Sequence, residues 1–165
     1  LQIDDVTNAL DNATDLTNAA RQLIDDYIDR ATELRQLLKS SWKKSGNMAI
    51  ADVDISGVSS ELKAFSRIDN INSSGADLGF VLKKDNPIFT TTTVGNFDRS
   101  IDTEAKILEE IAGQIGANYS KTGSIKLFTE RTPCESCLDV IQQFKNRYPN
   151  IEITVYDNTY NVLTF

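Results

Sequence analysis

Cys134 and Cys137 are the only thiols in a 165-residue chain that has no histidine. They lie in Arg131-Thr-Pro-Cys-Glu-Ser-Cys-Leu138, where a proline turn leads into a helical pattern. Two thiols at this spacing suit reversible oxidation or half of a metal site. At a helix start, backbone N–H groups and the positive dipole end favour thiolates, which serves either chemistry. A metal would need further donors, and without imidazole they must be carboxylates. Asp102 and Glu104, in Ser-Ile-Asp-Thr-Glu-Ala-Lys-Ile, open another helical pattern and are the candidates.

Whether these residues meet depends on the elements that carry them. Residues 102–115 read as a helix with Ile107, Leu108, Ile111 and Ile115 on one face, and residues 134–147 as a second carrying Leu138, Ile141 and Phe144. Between them Ser-Ile-Lys-Leu-Phe-Thr-Glu reads as a strand; Ile-Glu-Ile-Thr-Val-Tyr-Asp and Tyr-Asn-Val-Leu-Thr-Phe read as strands after them. Upstream, Met-Ala-Ile-Ala-Asp-Val-Asp-Ile alternates as a half-buried strand should, and Glu-Leu-Lys-Ala-Phe-Ser-Arg-Ile pairs with it as a hairpin. Residues 70–93 read as loop with one or two short strands. The order ββ-α-β-α-β-β predicts an α/β domain with a mixed sheet flanked by helices.

Residues 1–40 differ in kind. Ile3, Val6, Leu10, Ala13, Thr17, Ala20, Ile24, Tyr27, Ala31, Leu34 and Leu38 form a heptad stripe, widened by Leu16, Leu23, Ile28 and Leu37. Such a helix would be roughly 57 Å long. It reads as a connector or packing helix, with a self-associating coiled coil as the alternative. Ser45-Gly46-Asn47 is turn chemistry, so the expected units are a helix or linker at 1–42 and a domain at 43–165. Because the sequence begins at Leu1, the chain reads as a fragment of something longer.

In an α/β layer, helices that follow neighbouring strands can bring their N-termini together. That would set Asp102 beside Cys134 and Cys137 as three anionic ligands, with Glu104 facing a fourth, open position. Three protein ligands and an open position is the catalytic zinc pattern. Taken alone, Asp102 and Glu104 are also an ordinary N-cap and acidic first turn.

Asp102-Thr-Glu104 with Pro133-Cys134-x-x-Cys137 resembles the H-x-E…P-C-x-x-C signature of the zinc-dependent deaminases. More specifically, Gly-Asn-Met-Ala-Ile-Ala-Asp-Val-Asp-Ile-Ser-Gly, Lys-Ala-Phe-Ser-Arg-Ile-Asp and the stretch from Leu127 to Asp157 resemble the deaminase domains of bacterial polymorphic toxins, over roughly residues 46–160. The resemblance implies a cytidine-deaminase-like fold, zinc held by Asp102, Cys134 and Cys137, and Glu104 as the proton carrier for conversion of cytosine to uracil. The general superfamily has His or Cys where this chain has Asp102; the resemblance implies that some toxin branches carry Asp there. It further implies a secreted effector acting in the cytoplasm of a target cell, a cognate immunity protein, an upstream delivery region, and nucleic acid as substrate. Single-stranded DNA is the first expectation, since a stacked base must otherwise be flipped out. The rival is a thioredoxin-like redox domain, which shares the strand–C-x-x-C–helix order but needs more chain than the 28 residues after Cys137.

Substrate contacts are expected from Asn47, Ser66, Arg99, Thr132 and Pro133, with Arg67 beside Ser66. The net charge of −7, from 17 basic and 24 acidic residues, argues against a nonspecific electrostatic nucleic-acid binder. Lys43, Lys44, Lys83, Lys84, Lys145 and Arg147 would track a phosphate backbone only if folding gathers them; otherwise they are a solvated surface. No window has the ~18 apolar residues of a membrane span.

Overall fold

The computed structural model describes residues 3–91, 93–94, 97–98 and 102–165, with side chains from residue 17 onward except at 92–101. Helix α1 spans Ile3–Gln36. A 3-10 turn at Ser40–Trp42 follows, and strands β1 (Met48–Asp54) and β2 (Glu61–Phe65) form the expected hairpin. Residues 66–91 hold only a short 3-10 turn at Ala76–Leu78, and β3 (Thr93–Val94) and β4 (Phe97–Asp98) make a separate two-stranded ribbon. Then come α2 (Thr103–Ile115), β5 (Gly123–Thr129), α3 (Glu135–Arg147), β6 (Ile151–Asp157) and β7 (Val162–Thr164).

The main sheet has the order β2-β1-β5-β6-β7. β5 and β6 run parallel, as a strand pair joined by a helix must, and the remaining neighbours are antiparallel. This is the mixed α/β sheet of a cytidine-deaminase-like fold.

Both faces are covered. On one, Ala49, Ala51, Ile125, Leu127, Ile153 and Val155 pack against Ile107, Leu108 and Ile111 of α2 and Val140, Ile141 and Phe144 of α3. On the other, Met48, Ile50, Phe65, Phe128 and Tyr156 pack against Ile24, Tyr27, Ala31 and Leu38. β1 is therefore apolar on both sides rather than half-buried, and its short alanines admit α2 closely.

The stripe on α1 is thus a packing face from Ile24 to Leu38. Tyr27 stacks on Phe128 with ring centroids 5.3 Å apart, and its hydroxyl donates to Asp52 at 2.7 Å. Arg30 grips the same carboxylate with two bonds of 2.8 and 3.0 Å. Leu37, expected on the stripe, is 56% exposed. The reason is local: Leu37 and Leu38 bond back three residues, to Leu34 and Arg35, so the tightened last turn rotates Leu38 inward and Leu37 out. Ile3, Val6, Leu10, Ala13 and Leu16 lie outside the described side chains. Among the described residues, no helix is long and apolar enough to cross a membrane.

Candidate active site

Chain direction sets the site's location. α2 runs into β5 and α3 leaves it, so both helix N-termini stand at the C-terminal edge of β5. β1 is antiparallel to β5, which brings the residue before it, Asn47, to the same edge. Asp102 is the N-cap of α2 and Cys134 the N-cap of α3, yet neither side chain makes a capping hydrogen bond. They turn toward each other instead, so the ordinary capping role does not account for them.

The Asp102 oxygen lies 3.6 Å from Cys137 Sγ and 4.0 Å from Cys134 Sγ, and the sulfurs are 3.2 Å apart. Both cysteines are free thiols. One donor atom from each of the three residues lies within 4.8 Å of the others. Tetrahedral zinc with Zn–S near 2.3 Å and Zn–O near 2.1 Å would separate its sulfurs by about 3.8 Å and sulfur from oxygen by about 3.6 Å. The donor set matches that size, with the sulfurs slightly close, and is able to hold a metal ion.

The two thiols differ. Burial pushes Cys134 up, but hydrogen bonds from Ser136 Oγ, 2.9 Å away, and from Cys137 outweigh it and hold this thiol below the usual range. Burial pushes Cys137 well up, reinforced by the Glu104 carboxylate. A bound cation would replace the Cys137 proton as the balancing charge.

Glu104 is 3% exposed. Its Oε2 accepts from Thr103 Oγ1 at 2.9 Å and lies 3.4 Å from Cys137 Sγ, while Oε1 makes no hydrogen bond among the described residues. The Thr103 hydroxyl in turn accepts from Asn47 Nδ2 at 2.8 Å; the same amide nitrogen donates to Thr129 Oγ1 at 2.9 Å. Asn47 Oδ1 accepts the Arg131 backbone N–H at 3.2 Å, which fixes the amide's orientation because only its oxygen can do so. Asn47 also exchanges bonds with Ser66, donating N–H to its hydroxyl and accepting its backbone N–H. Gly46, at φ +74°, makes the approach possible: a Cβ there would sit 2.7 Å from Phe65 Cζ.

A cavity of about 230 Å³ opens over these groups, lined by Asn47, Ser66, Asp102, Thr103, Glu104, Arg131, Thr132, Cys134 and Cys137. The structure therefore gathers the four chemistry-bearing residues with Asn47, Ser66 and Thr132. Pro133 shapes the turn before Cys134 but is not in the lining, and Arg99 lies outside the described residues. Sequence reasoning passed over Arg131 and Thr103. Their only signal was adjacency to the two motifs.

Two further groups frame the site. Lys106 is 1% exposed and donates to Phe65 O, Ile68 O and Asp69 at 2.7, 2.9 and 3.0 Å, pinning the segment that carries Ser66. Burial lowers its pKa, opposed by Asp69. From α1, Arg35 binds Glu130 through two bonds of 2.8 and 2.7 Å and donates to the carbonyls of Trp42, Lys43, Ser45 and Gly46.

A family model described as Toxin-deaminase, the BURPS668_1122 family of deaminases, matches residues 31–159 and so includes every residue of the cavity. No curated protein and no solved structure matches the chain. With most of its length matched, the chain belongs to this family of deaminase toxin domains.

Proposed function

We propose that this deaminase toxin domain is a zinc-dependent hydrolase that converts cytosine to uracil in nucleic acid, with single-stranded DNA as first choice. One observation carries the reading: Asp102, Cys134 and Cys137 converge from two helix N-termini with the buried Glu104 beside them. The donor set fits zinc with one coordination position left open, and the two helix dipoles offset part of the charge of three anionic ligands. When bound, zinc would supply Lewis-acid activation of a water.

The chain's own residues do the rest. Glu104 takes one proton from water at its unengaged Oε1 and passes it to the cytosine ring nitrogen. It then takes the proton left on the added hydroxyl and passes it to the amine, which leaves as ammonia while the carbonyl of uracil forms. Thr103 holds the other oxygen, so the carboxylate need not reorient between transfers. The walls offered by Asn47, Ser66 and Thr132 enclose a space suited to one base, and a base must be unstacked to enter, which favours single strands. As a toxin domain it would act in the cytoplasm of a target cell, with an immunity protein covering this cavity in the producer.

The test is to incubate zinc-loaded protein with labelled single-stranded DNA, duplex DNA, RNA and free cytidine and to score cytosine-to-uracil conversion. Conversion on at least one polymer is expected, and its loss in Glu104→Ala with zinc retained. Undiminished conversion by that variant would remove Glu104 from its role.

A further inference from the structure

Arginine pairing divides sharply across this molecule. Arg30 is bound by Asp52 and Glu61, Arg35 by Glu130, Arg147 by the Tyr148 hydroxyl, and Arg21 lies over the Tyr160 ring. Among the described residues only Arg67 and Arg131 have guanidiniums with no hydrogen bond, ion pair or ring contact. Both are exposed; Arg131 lines the cavity, and Arg67 follows the lining residue Ser66 at its rim.

Their backbones are held even though their side chains are unengaged. The Arg131 N–H is bonded to Asn47 Oδ1, and Ser66 is bonded twice to Asn47. Lys106 secures the carbonyls of Phe65 and Ile68 on either side of Arg67. Arg67 leaves the end of β2 and Arg131 the end of β5, with β1 between those strands. At about 4.8 Å per strand, the two arms start roughly 10 Å apart, one on each side of Asn47.

We infer that Arg67 and Arg131 bind the phosphates on the two sides of the nucleotide whose base occupies the cavity. This rests on the deaminase reading above and assigns the two residues that hold its nucleic-acid strand at the site. The chemistry favours phosphate: a guanidinium offers paired donors to its oxygens. The surroundings demand cations as well. The chain carries −7 overall, and Asp102 and Glu104 line the same cavity, so a polyanion needs local positive charge at the rim. Two of the lysines elsewhere are already engaged: Lys84 is paired with Glu110, and Lys145 donates to the Ile151 carbonyl.

The test reads binding and turnover separately. Zinc-loaded wild type, Arg67→Ala, Arg131→Ala and the double variant are titrated by fluorescence anisotropy with a short labelled single-stranded cytosine oligodeoxynucleotide, between about 50 and 200 mM salt. Each substitution should weaken binding about tenfold at low salt and flatten the slope of log K against log salt by about 0.7, the double variant by about 1.4. In deamination the loss should fall on KM. Lys121→Ala, in the turn before β5 and remote from the cavity, should keep the wild-type slope. A wild-type slope in the double variant, salt-independent binding by the wild type, or an equal flattening by Lys121→Ala would each overturn the proposal. Wild type that binds with the expected slope but deaminates nothing would refute the deaminase reading while leaving the phosphate contacts standing.

Discussion

Asn47 reaches Glu104 through one hydroxyl. The amide donates to Thr103 Oγ1 at 2.8 Å and that oxygen donates to Glu104 Oε2 at 2.9 Å, so a residue before the first strand orients a carboxylate on the second helix. Thr103 is 1% exposed, so water does not readily replace either bond. Thr103→Val keeps the volume and removes the relay. It should lower kcat about tenfold, about 1.4 kcal/mol of barrier, with KM little changed. Steady-state kinetics on a cytosine oligonucleotide check this; an unchanged kcat would mean Glu104 is oriented by other contacts.

Zinc content should follow the donor set rather than the catalytic carboxylate. Cys134→Ser, Cys137→Ser and Asp102→Ala should each lose most bound zinc in elemental analysis, while Glu104→Ala keeps close to one equivalent. Chelation of the wild type should abolish activity, and zinc should restore it. A protein purified without metal, with thiols cycling reversibly to a disulfide, would point to redox chemistry instead.

Lys106 should matter for stability more than its place on a helix suggests. Lys106→Met retains the aliphatic stem but leaves the carbonyls of Phe65 and Ile68 without their donor and Asp69 without its cation. The cost should be about 3 kcal/mol in urea unfolding. A loss below about 1 kcal/mol would show that solvent substitutes for the amine.

Acid should weaken the fold through two carboxylates. Burial alone would raise Asp52, but Arg30 and the Tyr27 hydroxyl outweigh it and hold it low. Burial is likewise outweighed at Asp157, by Thr159 and Asn161. A folded-state pKa below the unfolded value means the bound state prefers the ion. The contribution is therefore complete above the unfolded pKa of about 3.9 and is lost as pH falls below it through the folded value. Thermal melts from pH 7 to pH 3 should show a declining Tm in the acid range, less steep in Asp52→Asn, which also starts lower at pH 7.

Sequence resolved the site's reactive parts better than their supports. Asp102, Cys134 and Cys137 announced themselves because few residue types bind metals and each sat where a helix pattern began. Helix and strand periods placed α2, β5, α3 and β6 to within a residue. What stayed hidden was tertiary. Asn47 reads as a turn residue and a substrate contact, and only the pairing of β1 beside β5 shows that its amide joins Thr103, Thr129 and Arg131 while its backbone holds Ser66. Lys106 carries no signal in the sequence, yet the fold closes β2 and its following turn over the amine. Burial on both sides of β1 was equally invisible, since the face that α1 covers carries Met48 and Ile50 while Ala49 and Ala51, on the face of α2 and α3, are too small to mark a second buried face.

The cover over Phe128 and Tyr156 has a practical consequence for anyone trimming this protein. The family match starts at residue 31, downstream of Ile24 and Tyr27, which occupy that face. A fragment cut at the matched boundary would keep Asp102, Glu104, Cys134 and Cys137, but would present a bare aromatic surface to solvent. Minimal expression fragments should therefore begin upstream of Ala20; shorter ones should aggregate before their chemistry can be assayed.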